Sequence, residues 1–231
     1  MELDPPVAIE DKGALTAARA LGVVAATLRQ NRLEDTLNAL GPPGQWHCDP
    51  HAGTLNLRGR TFAAEMLGSF DGHNWLWSWA NPFLRIPDEK TRISRGAREA
   101  DERIGTSVVA TPFVALGDLT PHDIAQLVTG YGLADAYYVC QFPGSQVVYA
   151  LVPGQLTPSW PLLYELQRAV TSALADGLAN GARALEHAAM QLGLATERSR
   201  DSLVVRDGDD HLTAKLADGE LRDITSTVTL R

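Results

Sequence analysis

The chain has 231 residues, of which 45% are hydrophobic and 21% charged, and its formal net charge is −8. This composition is typical of a folded globular protein, and it excludes disordered, collagen-like and disulfide-dense chains. The acidic balance leaves no basic tract for a phosphate backbone, so we expect no nucleic-acid partner. No run of about 18 apolar residues occurs, so we expect no membrane partner either.

The first 80 residues predict one helix followed by an antiparallel sheet. Leucines and alanines recur at helical spacing over 12–40, and the Gly-Pro-Pro-Gly run at 41–44 ends this helix. The hydrophobic period then changes to two, with turn signals between the segments. Short links of this kind make neighbouring strands antiparallel. The predicted strands are 45–49, 54–58, 60–70 and 74–80.

The middle of the chain predicts two helices and a hairpin. One charged helix is expected over 87–104. A second is expected over 120–128, where Thr120 and Asp123 have the spacing of a capping box. The apolar stretch 106–116 is either a loop or a short strand. The hairpin strands are expected at 136–142 and 146–152, around a Pro-Gly-Ser turn.

Three prolines within 153–161 predict a linker between an N-terminal domain, 1–155, and a C-terminal unit, 156–231. The C-terminal unit is expected to contain a helical region and three strands, and whether it packs on the first domain as one body is open. The predicted fold class is therefore α+β, an antiparallel sheet with helices mainly on one face plus a C-terminal helix and strand unit. The C-terminal elements are expected at 162–192, 202–206, 211–216 and 221–229.

The helical region 162–192 has small residues at four-residue spacing, namely Ala173, Gly177 and Gly181. Such a face allows close packing against another helix, in the same chain or in a second copy as a homodimer. Each interior glycine costs a helix about 1 kcal/mol relative to alanine. The Asp-Gly and Asn-Gly pairs within the region favour a break in the helix about equally, so both interpretations are open.

Three tryptophans alternate along the predicted strand 74–80 and would share one face. They could form a binding surface for a ligand or a protein, or they could belong to the core. With a two-residue or a four-residue loop at the 71–72 hairpin, even-numbered residues of 60–70 lie opposite odd-numbered residues of 74–80. The two-residue loop would place Gly68 opposite Trp75, and other small or flexible residues would lie beside the remaining rings. This pairing favours the core of a sheet with one solvent-exposed face. The expected core residues are Phe62, Met66, Trp75, Trp77 and Trp79.

Residues 75–82 read WLWSWANP. This string resembles the W-L-W-x-W-A-N-P signature of an uncharacterised bacterial family, and the hairpin at 137–151 is similar to the closing strands of that family. The resemblance covers about 45–152. It implies a bacterial protein with an α+β domain, and it supplies no activity and no catalytic residues.

Candidate chemical motifs are sparse. His47, Cys48, Asp49 and His51 lie close together, but no second ligand cluster accompanies them, so we expect no metal site. The sequence has no phosphate-binding loop, dinucleotide fingerprint or serine nucleophile elbow, so we expect no cofactor. Whether the protein is an enzyme is open, and a non-enzyme is favoured.

Glu65 is the most informative polar residue because it interrupts an apolar strand. A helix could cover it and raise its pKa, or it could lie on a solvent-exposed sheet face, which is the favoured interpretation. A pocket between the sheet and helices 87–130 would have Glu65, His73, Asn74 and Asn81 as speculative binding residues. The arginines between 85 and 103 alternate with acids, which favours a solvated, salt-bridged helix face.

The sequence supports two hypotheses on function. The favoured one is a non-catalytic binding or interaction protein, chaperone-like, immunity-type or regulatory, with an unidentified protein partner. The alternative is an enzyme or small-ligand binder, which a deep pocket around the four polar residues would favour. The chain begins with neither a basic segment nor an apolar one, so we expect a cytoplasmic protein. Cys48 and Cys140 could pair, although reduced thiols are the more common arrangement there.

Overall fold

The computed structural model describes residues 4–175, 177 and 181–228. Its fold is α+β, as the sequence predicts. The helices are α1 (Lys12–Ala39), α2 (Arg92–Glu99), α3 (Asp101–Ile104), α4 (Pro121–Gly130), α5 (Leu162–Ala175) and α6 (Gly181–Gln191). The strands are β1 (Val7–Ala8), β2 (Trp46–Asp49), β3 (Thr54–Leu57), β4 (Arg60–Phe70), β5 (Asn74–Trp77), β6 (Phe113–Ala115), β7 (Tyr137–Phe142), β8 (Ser145–Leu151), β9 (Ala195–Arg198), β10 (Ser202–Asp207), β11 (Asp210–Ala217) and β12 (Glu220–Thr227).

The larger sheet is mixed and has the order β1-β6-β5-β4-β3-β2. The β7–β8 hairpin joins it through β8, which pairs with β4. Its pairs are antiparallel except for β1 and β6, which run parallel. Strand β6 lies inside the segment whose state the sequence left open. The smaller sheet is antiparallel, with the order β12-β11-β10-β9. Its strand β9 was not predicted, and residue 229, the predicted end of the last strand, lies outside the described residues.

Helix α1 connects the two sheets because it packs in all three apolar clusters of the described residues. Its beginning, with Leu15, packs with α4 and the face of the larger sheet that carries Trp75. Its middle, with Leu28, packs with α5, α6 and the smaller sheet. Its end, with Leu33, packs on the opposite face of the larger sheet. The helix has the predicted extent to within one residue.

Both faces of strand β4 are buried from Ala64 to Gly68, so the expected solvent-exposed face is wrong for this part of the strand. The physical reason is that helices cover both sides: α2 lies over Glu65, and the end of α1 packs with Met66 on the opposite face. A bulge at Leu67 also changes the faces of the residues that follow it. Met66 pairs with Tyr149 and Gly68 pairs with the preceding residue of β8, Val148, so that Leu67 has no partner. An unpaired residue moves all later side chains to the other face. Phe62 and Met66 pack in one cluster, whereas Phe70, beyond the bulge, packs with Leu67 in the other.

Trp75 and Trp77 are fully buried and contact each other edge to face, with ring centroids 5.5 Å apart. The indole Nε1–H of Trp77 donates to the carbonyl of Val108 at 2.9 Å. Gly68 pairs with Trp77, and Phe70 pairs with Trp75. This is the register of a four-residue loop, 71–74; a two-residue loop at 71–72 would have paired Gly68 with Trp75. Trp75 and Trp77 do not share a face with Phe62 and Met66, because the bulge at Leu67 moves the partners of the two tryptophans to the other face of β4.

The predicted strand 74–80 is too long, and Trp79 lies beyond its end. The chain leaves the sheet after Trp77 and forms a 3₁₀ helix, Ser78–Ala80. The buried hydroxyl of Ser78 is 2.7 Å from that of Ser94 in α2, which draws the chain towards this helix. Trp79 is half-buried there, with the guanidinium of Arg98 4.6 Å from its ring centroid.

The predicted helix 87–104 is interrupted. It consists of a 3₁₀ helix, Asp88–Lys90, followed by α2 and α3. Thr91 separates the first two elements, with a non-helical φ of −127°. The helix after Thr120 begins with the expected capping box, and the Asp123 carboxylate accepts the Thr120 N–H at 2.7 Å. Helix α2 covers β4 and α4 packs on α1, and these two arrangements create two of the concave surfaces of the described residues.

Candidate functional site

Glu65 is buried under the first turn of α2, so the favoured interpretation of an exposed carboxylate is wrong. Its side chain is 2% exposed, in a strand whose other neighbours are apolar. One carboxylate oxygen, Oε2, accepts the backbone N–H of Ile93 at 2.8 Å, and the other accepts Nε–H of Arg92 at 3.2 Å. An anion at a helix N-terminus satisfies a free N–H and interacts favourably with the helix dipole. Glu65 therefore holds α2 on the sheet.

A cavity of about 280 Å³ lies beside this carboxylate, and we call it the Glu65 cavity. Its walls come from α2, from the segment after α4 and from the end of β8. The side chain of Arg92 lies at its edge and is 68% exposed. Apart from Glu65 and Arg92 the lining is apolar, formed by Ile93, Gly96, Leu133, Val152 and Pro153.

The structure does not bring the other three predicted binding residues to Glu65. His73 and Asn74 lie in the β4–β5 turn, where their N–H groups donate to Oδ1 of Asp71 at 2.9 and 2.7 Å. The side chain of Asn81 accepts the N–H of Phe83 at 3.0 Å and so stabilises a turn after the 3₁₀ helix. The four polar groups therefore do not meet at the Glu65 cavity, because the backbone of His73 and the side chains of Asn74 and Asn81 form turns.

The small residues of the 162–192 region do not form one helical face. The described part of the region consists of α5 and α6, and residues 176 and 178–180 lie outside the described residues. Ala173 is buried in the core of this chain. A Cβ at Gly181 would be 2.6 Å from the Cβ of Leu221, so Gly181 packs against β12. Gly177 has a φ of +68° and open space around it.

Cys48 and Cys140 lie side by side as free thiols next to Tyr149, so they are not paired. Burial, reinforced by the neighbouring Cys48, raises the pKa of Cys140 to about 12. Burial and the same cysteine also raise the pKa of Tyr149. The described residues contain no group of three or more His, Cys, Asp or Glu side chains that could hold a metal ion.

We expect thiol-specific reagents to modify at most one cysteine in the folded protein. Cys48 is partly exposed, whereas Cys140 is fully buried and remains protonated at neutral pH because of its raised pKa. Only the thiolate reacts. Titration with a chromogenic disulfide should show Cys140 reacting only after denaturant is added. Rapid labelling of a Cys48→Ser variant under native conditions would contradict this expectation.

A concave surface runs along the exposed side of α1, and we call it the α1 groove. It consists of two adjoining depressions, about 490 and 650 Å³, that share Leu21 and Arg183. The small side chains of Ala14 and Ala17 form its floor at one end, and His187 and Met190 of α6 line the other end. Further lining residues are Ala18, Ala20, Arg103, Ile104, Tyr131 and Leu194.

The α1 groove is lined by two arginines and by Glu186, in a chain that is acidic overall. Arg103 and Arg183 form no ion pair with any side chain that the structure describes, whereas Glu186 is neutralised by Arg198 at 2.7 Å. Burial lowers the pKa of His187, and the charge of Arg103 lowers this pKa further. The same arginine opposes the effect of burial, which raises the pKa of Tyr131. The groove is therefore suited to an anionic ligand.

Two glycines determine the shape of the α1 groove. Helices α1 and α4 cross at Gly22 and Gly130, where a Cβ on Gly130 would be 2.6 Å from the carbonyl oxygen of Gly22. This close approach places the end of α4 next to α6. His187 donates from Nε2 to the carbonyl of Gly130 at 3.1 Å, and its ring contacts Tyr131 with centroids 5.1 Å apart.

Sequence reasoning did not find the α1 groove. Arg103 was assigned to a solvated, salt-bridged helix face, and Arg183, Tyr131 and His187 were not singled out. The one available signal was local. Ala14, Ala17, Ala18 and Leu21 follow helical spacing with small side chains, which is typical of a surface that another helix approaches closely.

We expect the free energy of unfolding to decrease as the pH falls below 6.5, because of His187. Its folded-state pKa lies below the ordinary value of 6.5, so the unfolded chain binds a proton before the folded chain does. Folding then loses stability until the pH reaches the lowered pKa. Urea unfolding between neutral and mildly acidic pH should show a weaker pH dependence in His187→Gln, and no such change in His51→Gln, an exposed control. Equal slopes in both variants would contradict the assignment.

The described elements define an α+β protein with a mixed sheet, a smaller antiparallel sheet and a shared helix. The chain belongs to a family of unknown function, DUF6882, whose model matches residues 16–154. The match extends from α1 to the residues that follow β8, so it includes WLWSWANP, Glu65 and most of the α1 side of the groove. Comparisons with curated proteins and with solved structures find no match. None of the described helices has both the length and the apolarity needed to cross a bilayer.

Proposed function

We propose that this protein is a non-catalytic binding protein of the bacterial cytoplasm that holds an acidic amphipathic helix of a protein partner in the α1 groove. One observation carries the proposal. The groove combines a floor of small apolar side chains with two arginines, Arg103 and Arg183, that have no carboxylate partner among the described side chains. Amphipathic helices bind in apolar grooves, and their carboxylates pair with arginines at the edges.

The shape of the α1 groove favours a helix over a small molecule. Pockets for small ligands are concave and enclose most of the ligand surface. The two depressions adjoin at Leu21 and Arg183 and continue along α6, so their combined length suits a helix better than a small molecule. Ala14 and Ala17 are exposed and small, which allows the backbone of a second helix to approach closely.

The charge of the groove gives the interaction its specificity. The chain has a net charge of −8, so its surface repels acidic proteins in general. An acidic helix is attracted only where Arg103 and Arg183 concentrate positive charge. Such complementarity increases the association rate and selects the orientation of the partner, and salt weakens it.

The titratable groups of the α1 groove support binding without catalysis. Nε2 of His187 is bonded to a backbone carbonyl and the pKa of this residue is lowered by burial, so the ring is held as a neutral structural donor. Burial raises the pKa of Tyr131, which keeps its hydroxyl protonated at neutral pH. Neither group is placed as the base of a nucleophile.

A fluorescent synthetic peptide provides the test. The probe is an amphipathic helix of about four turns, with leucine at helical spacing and glutamate on the other positions. A matched probe has lysine in place of glutamate. We expect fluorescence anisotropy to show binding of the glutamate peptide to the full chain and no binding of the lysine peptide. If the full chain binds neither peptide, or binds both equally, the proposal is wrong.

Charge-reversal variants locate the binding surface. Arg183→Glu should weaken binding of the glutamate peptide about tenfold, the value of one charged hydrogen bond. Arg222→Glu is the matched control because Arg222 is exposed on β12, away from the groove, and the charge change is identical. Ala17→Trp should fill the groove and abolish binding without disturbing the core, since Ala17 is exposed. Equal binding by all three variants would contradict the proposed location.

A further inference from the structure

We propose that the Glu65 cavity is a binding site for a small organic cation, an alkylguanidinium or alkylammonium, that replaces Arg92 at the Glu65 carboxylate. This site is separate from the α1 groove. The groove lies along α1, whereas the cavity lies between α2 and the larger sheet.

The carboxylate of Glu65 is held by an exchangeable counter-ion. A buried carboxylate requires a cation or several hydrogen bonds. Glu65 is 2% exposed, yet its cation, Arg92, has a side chain that is 68% exposed. The contact is a single bond from Nε at 3.2 Å, not the two parallel bonds of a strong arginine–carboxylate pair. A ligand that brings a cation into the cavity can therefore form a closer contact with this oxygen than Arg92 does.

The walls of the cavity specify the rest of the ligand. Ile93, Leu133 and Val152 present apolar surface next to the carboxylate. A volume of about 280 Å³ is at the lower end of the range for small-ligand pockets, which suits a cation with a short alkyl chain. Gly96 leaves the space open, since the nearest atom to a Cβ placed there would be Cδ2 of Leu133 at 4.0 Å.

Capping of α2 explains only part of this arrangement. The bond from the Ile93 N–H uses Oε2, and it would stabilise the helix equally well if apolar side chains filled the adjacent space. The open volume and the weakly held Oε1 are not needed for capping. A purely structural Glu65 would be indifferent to a side chain that fills the cavity, whereas a binding site would be blocked by it.

Binding of n-butylguanidinium to the full chain tests the proposal. Two further probes of similar size are the neutral n-butylurea and the anion butyrate. Backbone amide chemical shifts should change at Ile93 and Gly96 on addition of the cation. We expect n-butylurea to bind about tenfold more weakly than the cation, because it lacks a charged hydrogen bond, and butyrate not to bind. Equal binding of the cation and the urea would overturn the proposal.

Variants in α2 separate binding from folding. Gly96→Leu should fill the cavity and abolish binding, while Glu65 keeps its bonds to Arg92 and Ile93. The helix tolerates this change because leucine favours helix over glycine. Arg92→Ala removes the competing cation and should tighten binding about tenfold. Arg95→Ala removes a partly exposed arginine that bonds to Asp88 and Thr91 and not to Glu65, so it is the control and should leave binding unchanged.

Three results would overturn the proposal or part of it. If n-butylguanidinium binds neither the wild-type chain nor Arg92→Ala, the cavity is not a site for this class of ligand. If Gly96→Leu remains folded, as urea unfolding reports, and binds like the wild type, the ligand lies elsewhere. Unchanged affinity in Arg92→Ala would overturn the competition with Arg92. Binding of the glutamate peptide to Gly96→Leu should be normal, so a failure of this inference is distinguishable from a failure of the proposed function.

Discussion

Replacing Gly130 by alanine is expected to lower the free energy of unfolding by about 3 kcal/mol, at the upper end of the usual cost of overpacking. The new Cβ would be 2.6 Å from the carbonyl oxygen of Gly22 and 2.9 Å from its Cα. These are backbone atoms of a long helix, so they cannot rotate away as a flexible side chain would. Helices α1 and α4 would have to separate, which also displaces the carbonyl that accepts from His187. Urea denaturation followed by circular dichroism measures the loss.

Two other glycine variants calibrate this result. In Gly22→Ala the nearest atom to the new Cβ is Cα of Gly130 at 3.1 Å, so a smaller loss is expected. In Gly96→Ala the nearest atom is at 4.0 Å, and stability should increase by up to about 1 kcal/mol through helix propensity. The expected order of stability is Gly96→Ala, then Gly22→Ala, then Gly130→Ala. A Gly130→Ala variant as stable as Gly22→Ala would contradict the close crossing of the two helices.

Trp77→Phe is expected to destabilise the protein by about 2 to 3 kcal/mol, whereas Trp75→Phe should cost about 1 kcal/mol less. Both indoles are fully buried, so both variants lose a similar volume. They differ in hydrogen bonding. The Nε1–H of Trp77 donates to Val108, and its removal leaves a carbonyl of a buried residue without this donor. The Nε1–H of Trp75 has no partner among the described residues, so phenylalanine removes an unsatisfied donor there.

Chemical denaturation of the two single variants checks this difference, with intrinsic fluorescence replaced by circular dichroism because the variants remove a fluorophore. Equal losses in the two variants would show that the hydrogen bond to Val108 contributes nothing. A larger loss in Trp75→Phe would mean that shape alone decides the stability of this pair of rings.

Local sequence signals were sufficient to predict the fold class and most of the elements. The 3.6-residue period over 12–40, the period of two over 45–70 and the capping residues Thr120 and Asp123 all act within a few residues. The bulge at Leu67 was not predictable in this way. It depends on pairing with β8, about 80 residues later in the chain, and one unpaired residue was enough to reverse the expected faces of β4.

The candidate sites were only partly predictable, for the same reason. Glu65 was recognisable because a carboxylate is unusual between apolar residues of a strand. Its burial depends on α2, whose position over β4 no local pattern specifies. The α1 groove combines residues from α1, the end of α3, the end of α4 and α6, and the crossing of Gly22 and Gly130 joins two helices about 100 residues apart. Such sites become visible only when the chain is folded.

The position of α1 in all three apolar clusters has a consequence for how the protein is made. This helix is synthesised before α5 and α6, which cover Val23, Val24 and Leu28 and follow more than 120 residues later. During that interval an apolar surface remains uncovered, which promotes association with other nascent chains. We therefore expect a fragment ending at residue 155, close to the end of the family match, to require a chaperone or to precipitate, whereas the full chain folds in a single late step.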